Sequence, residues 1–121
     1  MNETEKKIPE VLEMLGVNKN VTGYPATIRA LRQMLTRYEE GERLPYGGNI
    51  EKLLNEVRKE EQIKSQPYSI YLAIWRMIED LNHSVLMKYT KKVMLVKESY
   101  ITPYDFLYLV MKLVKSWEYV Y

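Results

Sequence analysis

The chain has 121 residues, 46% of them hydrophobic and 28% charged, which suits one globular domain built on one core and excludes a second domain or a disordered chain. It has no cysteine, so a disulfide framework and a thiolate metal site are both excluded. The net charge of +2 admits an acidic partner without requiring one, because chains that hold nucleic acid by charge alone are usually far more basic.

The first residues, Met1 to Lys7, are polar and mixed in charge, without the apolar run of a secretory leader, so the expected location is the cytoplasm. Asn20-Val21-Thr22 and Asn82-His83-Ser84 match the glycosylation sequon, which carries no meaning without secretion. No apolar stretch approaches the ~20 residues that span a bilayer, and no membrane partner is expected.

Ile8, Val11, Leu12 and Leu15 recur at helical spacing and Gly16 follows, which predicts a first helix over about 5–15. After Gly23, the residues Tyr24, Ile28, Leu31, Leu35 and Tyr38 form one apolar stripe, with Arg29, Arg32, Gln33 and Arg37 on the opposite side. Gly41, Pro45, Gly47 and Gly48 predict a loop over 39–48. Asn49 then caps a third helix bearing Ile50, Leu53, Leu54 and Val57. Pro67 opens a fourth, whose inner stripe is Ile70, Ala73, Ile74, Met77, Ile78 and Leu81. Between 82 and 101 the pattern is ambiguous. A short helix is expected near 83–89, while Val93-Met94-Leu95-Val96 reads equally as a strand, a buried loop or more helix. Thr102-Pro103-Tyr104-Asp105 combines a cap, a first-turn proline and an acid, and predicts a last helix over about 103–117.

Little in the chain points to catalysis. His83 is the only histidine, and Glu79 and Asp80 beside it make a trio that most helix ends offer. No nucleophile motif accompanies it. The acid pairs Glu39-Glu40 and Glu60-Glu61 are sequence neighbours, which do not share a helix face. Gly47-Gly48 lacks the lysine and spacing of a phosphate loop. The expectation is therefore a protein that is not an enzyme and has no cofactor, no metal and no small-molecule substrate.

The stretch from Tyr68 to Glu79 resembles the recognition helix of the C-terminal effector domain of stage-zero sporulation protein A, the sporulation regulator of endospore-forming Bacillota. The frame Ile70, Ala73, Ile74, Ile78 and Glu79 carries the match, with Ile63 seven residues before Ile70. Leu15-Gly16-Val17, Thr22-Gly23-Tyr24 and Leu31 resemble that family's first two helices, and Thr102, Asp105-Phe106, Val110 and Lys112-Leu113 its last. The resemblance spans about 110 residues. It implies an all-α domain of about six helices covering 1–121, with helices three and four forming a helix-turn-helix at about 49–81. It also implies a fourth helix that enters the DNA major groove, as such motifs do. The family's receiver domain has no counterpart here, so the expectation is a stand-alone domain, to which the family's phosphorylation control does not carry over.

Where the family's recognition helix exposes several basic residues, this chain has Ser69, Leu72 and Trp75, and only Arg76 supplies a charge. Tyr68, Tyr71, Leu72 and Trp75 then form a second apolar stripe opposite the first. Arg29, Arg32 and Arg37, with Lys88, Lys91 and Lys92, are the candidates for phosphate contact. Two functions follow. One is a sequence-specific DNA-binding transcriptional regulator of the sporulation-regulator type, reading DNA through Tyr68, Ser69, Tyr71, Leu72, Trp75 and Arg76. The other is a protein-binding adaptor or inhibitor, encoded by a host, mobile element or phage, or an obligate homodimer, using the same aromatic face for protein contacts.

Overall fold

The computed structural model describes residues 3–38, 43–60, 67–93 and 101–115. Among the described residues six helices make up the architecture: α1 Glu3–Leu15, α2 Tyr24–Thr36, α3 Gly48–Glu60, α4 Pro67–Glu79, α5 His83–Val93 and α6 Pro103–Lys115. No strand occurs among the described residues. The all-α class and the six helices are those expected from the sequence.

The order of apolar residues explains where each helix lies. Ile8, Val11, Leu12 and Leu15 turn the inner side of α1 into the core. Gly16 then ends α1 with φ +94, donating its N–H to the Glu13 carbonyl at 2.9 Å while Val17 donates to Leu12 at 2.9 Å. This reciprocal pair satisfies two carbonyls that the helix end would leave open, and it folds buried Val17 back over Leu12.

Helix α2 begins at Gly23, whose φ of +92 L side chains rarely adopt. A second constraint acts at the same residue. A Cβ there would stand 2.6 Å from the Cβ of Ala73, so the start of α2 lies directly against the middle of α4. Thr27 donates its hydroxyl to the Gly23 carbonyl at 2.8 Å and is fully buried with that bond made. Tyr24, Leu31 and Leu35 are buried as the stripe predicts, whereas Ile28 and Tyr38 are only half-buried and Ala30 and Met34 take central places.

Helix α3 buries Ile50, Leu53, Leu54 and Val57. Its start differs from the expected cap: Gly47, at φ +64, leads into the helix and Ile50 donates to its carbonyl at 3.0 Å, leaving Asn49 exposed inside the first turn. In α4, Ile70, Ala73, Ile74 and Met77 are buried. Ile78, expected at the centre of this stripe, is partly buried at its edge, because the 100° step of a helix carries it off the line set by Ile70, Ile74 and Met77.

Helix α5 runs to Val93, beyond the expected end near 89, and so takes in the first residue of the ambiguous apolar run. Residues 94–96 of that run lie outside the described residues, as does the end of the last helix beyond 115. Asn82 starts α5, its side chain accepting from the Val85 N–H at 3.2 Å and its carbonyl from Leu86 at 3.0 Å. Thr102 and Asp105 open α6 by exchanging bonds, each side chain accepting the other's backbone N–H at 3.2 Å.

Helix α6 is the centre of the molecule. Phe106, Leu107, Leu109, Val110, Met111, Leu113 and Val114 are all buried, and α1, α2, α3, α4 and α5 each pack against it. Helix α3 also packs on α2 and α4, and α4 on α2, which fixes the α3–α4 pair against the rest.

Ile74→Ala should destabilise the fold by about 2–5 kcal/mol through lost burial and the cavity left behind. Ile78→Ala should cost clearly less, because its side chain is only partly removed from water. Gly23→Ala adds a single methyl group and should nevertheless lower the melting temperature by several degrees. Thermal denaturation followed by circular dichroism checks all three, and an unchanged Gly23→Ala midpoint would show that α2 and α4 are not in contact at this point.

Candidate functional site

The outward side of α4 is where the predicted contact residues fall. Leu72 is 38% exposed and Arg76 is exposed one turn later. Tyr71 and Trp75 are half-buried and meet edge to face, with ring centres 6.3 Å apart and planes at 79°. The side chains of Tyr68 and Ser69 lie outside the described residues, although their backbone belongs to α4.

Tyr71 is covered from α6. The ring of Tyr104 lies 5.3 Å from it, and the Glu51 carboxylate of α3 stands within hydrogen-bonding reach of the Tyr104 hydroxyl. One helical turn along α6, Tyr108 meets Tyr46 at 5.0 Å with planes at 83°, and Tyr46 is 52% exposed. The aromatic side of α4 therefore continues across α6 to the approach of α3. Tyr46, Tyr104 and Tyr108 are not among the site residues expected from the sequence. The spacing of four between the last two is a usable signal, masked because Tyr104 sits inside the helix-start motif.

Beside Trp75, at the junction of α4 and α5, lies a cavity of about 250 Å³. Ile78, Leu81, Leu86 and Ile101 form its apolar wall, with Glu79 and His83 as its polar members. His83, Glu79 and Asp80 do not converge on an ion: among the described residues no three His, Cys, Asp or Glu side chains group closely enough to hold a metal.

The cationic candidates divide into two sets. On α2, Arg29 is exposed, while Arg32 is half-buried with its Nε enclosed and lacking a hydrogen-bond acceptor among the described residues. Arg37 donates to the Glu60 carboxylate at 2.6 Å, so it links the ends of α2 and α3. On α5, Lys88, Lys91 and Lys92 are all exposed, and the ammoniums of Lys88 and Lys92 sit 6.0 and 5.4 Å from the centre of the Tyr89 ring.

No protein-family model matches this chain, and no curated protein or solved structure is detectably similar to it. No helix among the described residues is long and apolar enough to cross a membrane.

Burial, the nearby Glu51 carboxylate and Tyr71 together hold the Tyr104 phenol above its ordinary value of about 10. The folded state thus favours the neutral phenol. The stability this contributes is fully present below the unfolded pKa and is lost as pH rises through the higher folded value. Ultraviolet difference titration should show one late-ionising tyrosine fewer in Tyr104→Phe, and Glu51→Gln should move the Tyr104 midpoint down. If Tyr104→Phe leaves the alkaline end of the titration unchanged, the packing of Tyr104 between Tyr71 and Glu51 is wrong.

Proposed function

We propose that this protein is a helix-turn-helix DNA-binding transcriptional regulator without catalytic activity, acting in the cytoplasm and presenting α4 to the major groove. The observation that carries the reading is the setting of α4. Its inner side is locked into the core by Ile70, Ala73, Ile74 and Met77, it follows α3 in the chain and packs against it, and Leu72 and Arg76 remain exposed. That order of elements agrees with the resemblance to the sporulation-regulator effector domain and with the docking geometry of such motifs. Arg76 supplies the guanidinium best suited to a guanine edge, and Leu72 an apolar contact for a thymine methyl. Arg29 and the α5 lysines are the candidates for phosphate.

One observation favours a second reading, a protein-binding adaptor, inhibitor or homodimer. Tyr71, Trp75, Tyr104, Tyr108 and Tyr46 give the outer side of α4 an aromatic surround, and Tyr and Trp dominate protein-binding hot spots.

A gel-shift titration against genomic fragments, run beside sedimentation, separates the two. For DNA, Arg76→Ala should cost about 1–3 kcal/mol of binding and relax specificity, and binding should weaken steeply with salt. For a protein partner or a second copy, Trp75→Ala should cost about 2 kcal/mol or more while salt matters little. Absence of any shift at low salt, together with a Trp75-dependent complex or dimer, would overturn the DNA-binding reading.

A further inference from the structure

The positive charge of this protein is local. The whole chain carries 18 basic and 16 acidic side chains. Helix α5, His83-Ser84-Val85-Leu86-Met87-Lys88-Tyr89-Thr90-Lys91-Lys92-Val93, holds three of those cations and no acid. Outside α5 the chain has fifteen basic and sixteen acidic residues, so α5 carries the largest share of unbalanced positive charge of any one helix, ahead of α2 with Arg29 and Arg32 and no acid.

Lys88, Lys91 and Lys92 are all exposed, and among the described residues no carboxylate pairs with them. The helix dipole accounts for Lys91 and Lys92, which lie in the last turn. It does not account for Lys88 in the middle of the helix. Lys88 and Lys92 lie over the same ring, Tyr89, so two ammoniums are gathered along one side of α5 rather than dispersed. The opposite side anchors the helix: Leu86 and Thr90 are buried, and the Thr90 hydroxyl donates to the Leu86 carbonyl at 2.7 Å.

We propose that α5 is a nucleic-acid surface beside α4, one that holds the phosphate backbone without reading sequence. The inference rests on the DNA-binding reading in naming its partner, and on the charge of α5 alone in naming its surface. A row of exposed ammoniums with no carboxylate among them is complementary to a uniform line of phosphates, where each neutralised phosphate releases counterions. An anionic lipid surface fits less well. A helix lying on a membrane needs a free apolar side, whereas the apolar residues of α5 are turned to the core and only Val85 is well exposed.

The experiment compares wild type, Arg76→Ala and a triple variant carrying Lys88→Gln, Lys91→Gln and Lys92→Gln, each checked for an unchanged melt. Fluorescence anisotropy is measured with labelled duplexes of several random sequences across a salt series, beside poly-glutamate and phosphatidylserine vesicles. The triple variant should bind every duplex roughly tenfold or more weakly at low salt, and its log–log salt slope should be shallower by about 2–3, near 0.9 for each phosphate that is no longer neutralised. An unchanged slope in the triple variant overturns this inference and leaves the DNA-binding reading standing if Arg76→Ala still impairs binding. A loss confined to the triple variant upholds the α5 surface while removing α4 from DNA. Lysine-dependent binding to poly-glutamate or vesicles that equals binding to DNA overturns the assignment, and a wild type that binds no duplex at any salt overturns both readings.

Discussion

Helix α6 is apolar nearly all round, and that single constraint arranges the other five. Phe106, Leu107, Leu109, Val110, Met111, Leu113 and Val114 point in too many directions for one neighbour to cover. A helix of this kind is stable in water only when enclosed. α1, α2, α3, α4 and α5 supply the enclosure, each with a narrower apolar stripe of its own. The one stripe of α6 left partly open is Tyr104, Asp105, Tyr108, Lys112 and Lys115. Its aromatic members come first, and Tyr104 borders α4 through Tyr71. The surface of α4 is thus shaped in part by what the core helix could not bury.

The clear periods in the sequence are those of helices whose inner positions are filled by large aliphatic residues. Ile50, Leu53, Leu54 and Val57 in α3, and Ile70, Ile74 and Met77 in α4, need no tertiary information to be placed. The harder cases share a physical cause. Thr27 and Thr90 read as polar, yet each is fully buried because its hydroxyl bonds a carbonyl one turn back in its own helix. With Thr90 counted as polar, α5 has too few apolar residues for a period to emerge, and the expected end falls too early.

The candidate site is legible along α4 and illegible across it. Leu72, Trp75 and Arg76 fall where helical spacing puts them. That Tyr71 lies beneath a tyrosine 33 positions later is a matter of tertiary packing, which no periodicity contains. The same holds for Arg37, whose Glu60 partner comes from another helix. Composition is likewise misleading in one respect: a net charge near neutrality conceals a helix, α5, with three lysines and no acid.

The contact between Gly23 and Ala73 also bears on how α4 can move. With 2.6 Å between the position a Cβ would occupy and the Ala73 methyl, the backbone of α2 acts as a stop against the middle of α4. Helices that meet through longer side chains can slide or roll as rotamers exchange, whereas a backbone in direct contact with a methyl group offers no such slack. α4 is therefore closely fitted against the start of α2 at this point. Any contact made with the exposed Leu72 and Arg76 would be made on a helix already packed at its middle, at a lower ordering cost. The cost is adaptability: a binding surface that must re-form for a differently shaped partner cannot be built on a helix pinned at its centre.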